Sequence, residues 1–167
     1  MNVALSLGGV AIALAILWLN LRPWWKGGKD PKALLPYASG AGLGSLATIC
    51  AGGALGWGAS GIAALATSGG TTSVEKVTGT SGAATMPTGS MGTLTPEGGV
   101  VVCLLLVGVA LLHKTSGKPD KRRIVGGFVT FAILGFLPGV AELLSWWPEA
   151  VNTVGARGYQ LLSTGNL

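Results

Sequence analysis

The hydrophobic pattern divides the chain into four apolar segments joined by polar stretches. Segments 1 to 4 cover residues 4–21, 35–66, 99–113 and 124–147. At 1.5 Å per residue, a helix over segment 1 spans ~27 Å, close to the ~30 Å hydrocarbon core of a bilayer, whereas segment 3 spans only ~22 Å. Segment 4 should kink at Pro138, because proline lacks the backbone donor and clashes with the preceding turn. The pattern therefore predicts four transmembrane helices.

Segment 2 carries small residues at every fourth position. A single helix over the whole segment exceeds the bilayer thickness, so we expect tilt or a protruding end. Residues four apart share one face of a helix, and a small face lets a second helix approach closely in lipid. This small-residue ridge consists of Gly40, Gly44, Thr48, Gly52, Gly56, Ser60 and Ala64. Two uses stay open, which are packing within the chain and self-association into a homo-oligomer.

The stretch between segments 2 and 3 is polar and has no strong periodicity. Of its 31 residues, 67–97, 19 are Gly, Ser or Thr. This composition is typical of a flexible linker. The alternative is an extended external segment that becomes ordered only against a neighbour, with a short strand at 74–77. The final stretch, 148–167, is weakly amphipathic, and we expect it at the outer surface.

Nine of the eleven basic residues fall in the two loops that follow segments 1 and 3. Cytoplasmic loops of membrane proteins carry an excess of Lys and Arg, so both loops are placed in the cytoplasm and both termini outside. The same loops are candidates for contact with anionic lipid headgroups or with a cytoplasmic partner. The nine residues are Arg22, Lys26, Lys29, Lys32, Lys114, Lys118, Lys121, Arg122 and Arg123.

Two tryptophan pairs flank the apolar segments. Trp24 and Trp25 follow segment 1, and Trp146 and Trp147 end segment 4. Tryptophan is enriched where a bilayer meets water, so the pairs are interpreted as interfacial anchors at opposite faces of the membrane. The predicted fold class is all-α, an integral membrane protein whose four transmembrane helices form two helical hairpins.

The predicted organisation has four parts. Residues 1–66 form the first transmembrane hairpin, and 67–97 form the external linker. Residues 98–147 form the second transmembrane hairpin, and 148–167 form an external C-terminal tail. This organisation predicts a multi-pass membrane protein.

The two predicted hairpins resemble each other in sequence. Gly8 and Gly98 each begin the triplet Gly-Gly-Val near the start of an apolar segment, and they are 90 positions apart. The loops at 29–32 and 118–121 each combine two lysines with Asp and Pro, at an offset of 89 positions. This similarity indicates a duplicated unit of helix, basic loop and helix, with the two copies in parallel orientation.

The composition favours a bilayer environment. The chain is 49% hydrophobic and 10% charged, whereas a soluble domain usually has about 25% charged residues. The net charge of +5 would suit nucleic acid. However, the charge lies in loops beside apolar segments, so direct nucleic-acid contact is the less favoured interpretation.

Few residues are candidates for chemistry. Glu142 is the only acidic residue inside an apolar segment, and it either reaches the interface or handles protons or ions. Cys50 and Cys103 are placed at different depths, so we expect no disulfide between them. His113 stands alone, so neither a metal nor another cofactor is expected. Without a nucleophile, zinc-protease or phosphate-loop motif, the chain is predicted to be non-enzymatic.

Residues 24–34, after an apolar first helix and before a Gly-rich second one, carry a resemblance. Through roughly the first 65 residues, the chain is similar to small multi-pass membrane proteins of actinobacterial, Streptomyces-type mobile elements, including plasmid-spread (Spd-type) and phage membrane proteins, which implies a bacterial cell membrane or a virion membrane as its location. The resemblance implies a structural or assembly component in conjugative plasmid spread or a virion membrane, with a DNA translocase or a capsid protein as partner. The alternatives are a holin-like pore former and a pilin-like filament subunit.

Overall fold

The computed structural model describes residues 5–50 and 52–164, and this part of the chain is almost entirely helical. The helices are α1 (Leu7–Lys26), α2 (Pro31–Ala47), α3 (Ala54–Thr78), α4 (Pro96–Thr115), α5 (Lys118–Leu134), α6 (Pro138–Leu143) and α7 (Trp146–Thr164). Two short strands, β1 (Leu5–Ser6) and β2 (Thr85–Met86), pair antiparallel. The all-α prediction is confirmed. Within the described ranges, α1 and α4 are the two helices that are long and apolar enough to cross a membrane.

Side-chain caps set where the helices begin. The Ser6 hydroxyl accepts a hydrogen bond from the Gly9 amide at 3.1 Å and caps α1. The Thr95 hydroxyl accepts from the Gly98 amide at 3.0 Å and caps α4. Such bonds satisfy backbone donors that lack a partner in the first turn. The two membrane-length helices thus start with the same local structure.

Apolar segment 2 is not one helix, so that prediction was wrong. Helix α2 ends at Ala47, and α3 begins at Ala54 after a turn. Gly52 has φ +81°, a left-handed conformation that glycine adopts without steric cost. Glycine also lowers helix stability, so the Gly-rich centre of this segment is where the helix breaks.

The predicted linker is helical over its first third. Helix α3 continues to Thr78, so the strand considered at 74–77 is wrong. The helix ends where Gly79 adopts φ +69° and its amide donates to the Glu75 carbonyl at 2.9 Å. Many Ser and Thr hydroxyls of α3 donate to carbonyls four residues earlier, so their hydrogen bonds are made within the helix.

The chain after α3 is ordered against its neighbours. Strand β2 lies along β1, and the Leu7 amide donates to the Ala84 carbonyl at 3.2 Å. The Gly89 amide donates to the Phe136 carbonyl at 2.8 Å. These bonds agree with the alternative of an extended segment that becomes ordered by packing.

Apolar segment 4 is divided into three helices. Helix α5 ends at Leu134, and Pro138 opens the short α6 instead of kinking a continuous helix. Leu137 is extended, as the residue before a proline prefers. Trp146 then opens α7, so the predicted break between segment and tail at 147–148 is wrong. The tail is helical as far as Thr164.

Helices α2 and α5 form the centre of the molecule and run parallel. Gly40 faces Ile124 and Gly44 faces Phe128, so the two helices run in the same direction. Helix α1 packs mainly against α5 and α3, whereas α4 packs mainly against α7 and α2. The helices of each predicted hairpin therefore have their main contacts outside the hairpin. The two halves are interlocked and are not two separate hairpin units.

Candidate functional site

The α2 half of the small-residue ridge lies inside the protein. A β-carbon at Gly40 would overlap the backbone of Ile124, and one at Gly44 would overlap the backbone of Phe128. The absence of side chains therefore allows the backbones of α2 and α5 to touch. Close approach of this kind is how helices associate in lipid. For these two residues the use is packing within the chain.

Thr48 continues that face, because a β-carbon at Gly135 after α5 would meet its side chain at 3.0 Å, but the ridge residues after Thr48 do not. Gly52 lies in the turn, and a β-carbon at Gly56 would overlap the Cys50 carbonyl. Ser60 is nearly buried, whereas Ala64 is exposed. The prediction of one smooth ridge from Gly40 to Ala64 is wrong, because the helix break changes the direction of the chain in the middle.

Two adjacent glycines of α5 that were not among the predicted packing residues also allow close contacts, one with α2 and one with α1. A β-carbon at Gly127 would overlap the Tyr37 carbonyl, and one at Gly126 would meet the Asn20 side chain at 2.5 Å. The sequence signal for these contacts was the pair of adjacent glycines inside a predicted helix. A glycine in a helix lowers its stability, so its presence often marks a position of close packing.

The contacts of the central pair are reciprocal. Gly40 meets Ile124, and Gly127 meets Tyr37. Both glycines and both partners are 87 positions apart, and so are the starts of α2 and α5, which have 17 residues each. Helices α1 and α4 have 20 residues each and start 89 positions apart. The structure therefore contains a repeated unit of helix, basic loop and helix.

The two basic loops meet at one end of the molecule, here called the basic end. The Arg123 guanidinium donates to the Ala33 carbonyl at 3.1 Å, which links the start of α5 to the start of α2. Arg123 also pairs with Asp120 at 3.4 Å. Asp30 caps α2 by accepting from the Lys32 amide at 3.0 Å. The two acidic side chains of these loops are thus already engaged, and the end is strongly cationic.

The tryptophan pairs differ in their contacts. Trp24 and Trp25 form an edge-to-face pair at 6.2 Å, and the Lys29 ammonium lies 4.8 Å from the Trp25 ring. Trp146 is exposed, but the Trp147 indole donates to the Gly42 carbonyl at 3.3 Å. Trp147 therefore packs against α2, and its assignment as an interfacial anchor misses this structural role.

The residues singled out for chemistry stay apart from one another. Glu142 is exposed on the six-residue α6. Across the described ranges, no group of three or more His, Cys, Asp or Glu side chains could hold a metal ion. Cys50 and Cys103 are free thiols. Cys50 packs in the cluster that contains Val102, the residue before Cys103. The two cysteines therefore lie closer to each other than the prediction of different depths implied.

Both membrane-length helices present apolar side chains outward. On α4 the exposed residues recur at helical spacing, as Val100, Leu104, Val107 and Leu111. On α1, Leu14 and Trp18 are more than half exposed. Contiguous apolar surface on this scale marks an interaction with a membrane or another protein.

Comparison of the chain with protein-family models, with curated proteins and with solved structures finds no match. We therefore infer its function from the surfaces of the molecule. These are the apolar faces of α1 and α4, the cationic basic end, and the central glycine contacts between α2 and α5.

Proposed function

We propose that the protein is a non-enzymatic, membrane-embedded assembly component. Helices α1 and α4 face lipid, and the central pair α2 and α5 is held between them. The observation that carries this proposal is the low burial of the two apolar helices. Within the stretch of each helix that is apolar and long enough to span a membrane, only 17% of α1 and 11% of α4 is buried. A core helix of a soluble protein is mostly buried, so these helices suit a bilayer better than water.

The outward leucines and valines would stabilise the protein if lipid covered them. Removing one such side chain fully from water stabilises by ~1.5–3 kcal/mol. Lipid that covered only Val100, Leu104, Val107 and Leu111 of α4 would therefore contribute several kcal/mol. Left in water, the same surface promotes aggregation.

Orientation follows from the basic end. Helices α1 and α4 both finish there, and the excess of Lys and Arg favours the cytoplasmic side. The opposite end holds the segment between α3 and α4, which lies against the end of α5. We propose four spans with the basic end in the cytoplasm and both termini outside.

The proposed biological role is structural, in conjugative plasmid spread or in a virion membrane of a bacterial mobile element. Its support is the resemblance of residues 24–34 and the membrane surface described above. The holin-like alternative needs many copies to associate through an outer small face. Gly40 and Gly44 are already used inside the protomer, so this alternative loses the surface on which it rested.

Single-cysteine labelling tests the orientation. In a background with Cys50→Ala and Cys103→Ala, we expect Thr88→Cys to react with a membrane-impermeant maleimide on intact cells. Gly117→Cys at the basic end should react only after lysis. Both positions are exposed in the structure, so a difference reports the membrane barrier. Labelling of both on intact cells, or release of the protein by alkaline carbonate, would contradict the proposal.

Purification from the native host tests the role. We expect a tagged chain, extracted in mild detergent, to carry a DNA translocase or capsid protein identified by mass spectrometry. Growth arrest and depolarisation on expression alone would favour the pore former instead.

A further inference from the structure

A cavity of about 410 Å³ opens near the basic end, between α1, the last turn of α4 and the first half of α5. Its wall is almost entirely apolar and includes Ile16, Val125 and Val129. Three basic residues also border it, His113, Lys121 and Arg122, and no acidic side chain does.

The charged and apolar parts follow one another along α5. Lys121, Val125 and Val129 are four residues apart and share one face of the helix. Eight residues correspond to a rise of ~12 Å, so the wall changes from cationic to apolar over about the distance from a headgroup to its upper acyl carbons. Because α5 starts at the basic end, this gradient points into the proposed bilayer.

Comparison of the two repeats shows that these charges occur in the second repeat and not in the first. At the offset of 87 positions, the α2 counterparts of Lys121 and Arg122 are Leu34 and Leu35. The counterpart of Val129 is Gly42, which Trp147 covers. Membrane orientation requires basic loops in both halves, but it does not require a basic pair on one groove and leucines on the other.

We infer that this cavity binds one anionic phospholipid. Its phosphate would contact Lys121 and Arg122 beside His113, and an acyl chain would lie along Ile16, Val125 and Val129. Basic pockets between transmembrane helices on the cytoplasmic side bind headgroups of this kind. The inference rests on the proposed function, because the site faces lipid only if α1 and α4 are inserted.

Native mass spectrometry tests the inference with protein purified in mixed micelles of phosphatidylglycerol and phosphatidylcholine in equal amounts. We expect wild type to retain phosphatidylglycerol selectively. The double variant Lys121→Gln/Arg122→Gln should weaken this binding by ~10-fold or more, because it removes both charge-assisted hydrogen bonds to the phosphate. The matched control Lys29→Gln/Lys32→Gln removes the same charge from the basic end outside the cavity, and it should retain the lipid.

A second variant separates cavity from charge. Val125→Trp keeps every charge. Its larger side chain extends from a half-exposed position on the apolar wall and fills the cavity, so this variant should also lose the bound lipid. Equal loss in the control double variant would show general charge attraction and overturn the site. Displacement of the lipid by inorganic phosphate alone would show an anion site without an acyl chain, which also overturns it.

Membrane integration of every variant is measured in the same preparations by alkaline carbonate extraction. A wild-type protein that resists extraction but shows no preference for phosphatidylglycerol sinks this inference and leaves the proposed function standing. A protein that carbonate releases removes the proposed function, and the lipid site falls with it.

Discussion

The two halves of the molecule share a frame and differ in what covers it. In each half a capped helix of 20 residues leads through a basic loop into a helix of 17 residues. The second helices of the two halves then meet through reciprocal glycine contacts. The shared frame therefore follows from the features that both halves have in sequence, which are small residues, basic loops and apolar first helices.

The difference lies in the helix that follows. In the first half α3 runs antiparallel to α1, with Gly8 against Gly70 and Gly9 against Thr67. In the second half α6 intervenes, and α7 contacts α4 where Gly155 meets Glu97. Trp147 at the start of α7 covers the groove on α2, whereas the corresponding groove on α5 stays open. One frame thus carries one closed groove and one open groove.

The largest expected effect comes from breaking the contact between the halves. Gly127→Leu places a side chain where the Tyr37 carbonyl lies. Backbone shifts at so close a contact cost at least ~3 kcal/mol, which should lower the unfolding temperature in detergent by roughly 10 °C. Circular dichroism during heating measures this change. Because the contacts are reciprocal, Gly40→Leu should have a similar effect.

Gly108→Leu is the matched control, since nothing lies within 4 Å of a β-carbon there and the residue is exposed on α4. It should leave the unfolding temperature unchanged or raise it slightly, because glycine inside a helix costs ~1 kcal/mol relative to alanine. Equal losses in Gly127→Leu and Gly108→Leu would mean that the central pair does not hold the halves together.

Patterns that depend on local sequence were predicted well. The two membrane-length helices follow from apolar runs bounded by Trp, Lys and Arg, and Gly40 and Gly44 were identified as a packing face from their spacing. The partner face could not be found in this way. Gly126 and Gly127 lie far along the chain, and a contact with Tyr37 or Asn20 exists only after tertiary packing.

The break between α2 and α3 was not predicted, because a Gly-rich sequence has no hydrophobic periodicity whose interruption would mark the end of a helix. The left-handed backbone of Gly52 looks the same in sequence as the helical backbone of Gly44. Trp147 was assigned to the membrane interface because its neighbour is also tryptophan. Its hydrogen bond to the Gly42 carbonyl depends on the position of α7, which the sequence pattern does not determine.

A smaller effect is expected from opening the closed groove. Trp147→Ala removes a half-buried ring that contacts Leu46 and its neighbours, together with the hydrogen bond to Gly42. We expect a loss of ~2 kcal/mol, below the ~3–5 kcal/mol of a fully buried aromatic residue. Thermal unfolding measures the loss. Trp146→Ala is the control, because that ring is exposed and its removal should cost much less in detergent.

The smallest effect separates the two helix caps. Ser6 and Thr95 each cap a membrane-length helix, but Ser6 is buried and its hydroxyl also donates to the Thr67 carbonyl at 3.3 Å. The Thr95 hydroxyl also donates to the Asn152 side-chain carbonyl at 3.4 Å, but Thr95 is exposed, so water can replace its hydroxyl. We expect Thr95→Ala to cost ~1 kcal/mol and Ser6→Ala up to ~2 kcal/mol, since losing a buried bond costs more than losing an exposed one.

Chemical unfolding of both cap variants in the same detergent measures the difference. Thr153→Ala serves as a control, because it removes an exposed hydroxyl that bonds only to its own helix, at the Glu149 carbonyl. It should change the free energy of unfolding by less than ~0.5 kcal/mol. If Thr95→Ala costs as much as Ser6→Ala, the contact of α1 with α3 adds nothing to its cap. The caps would then not distinguish the two halves.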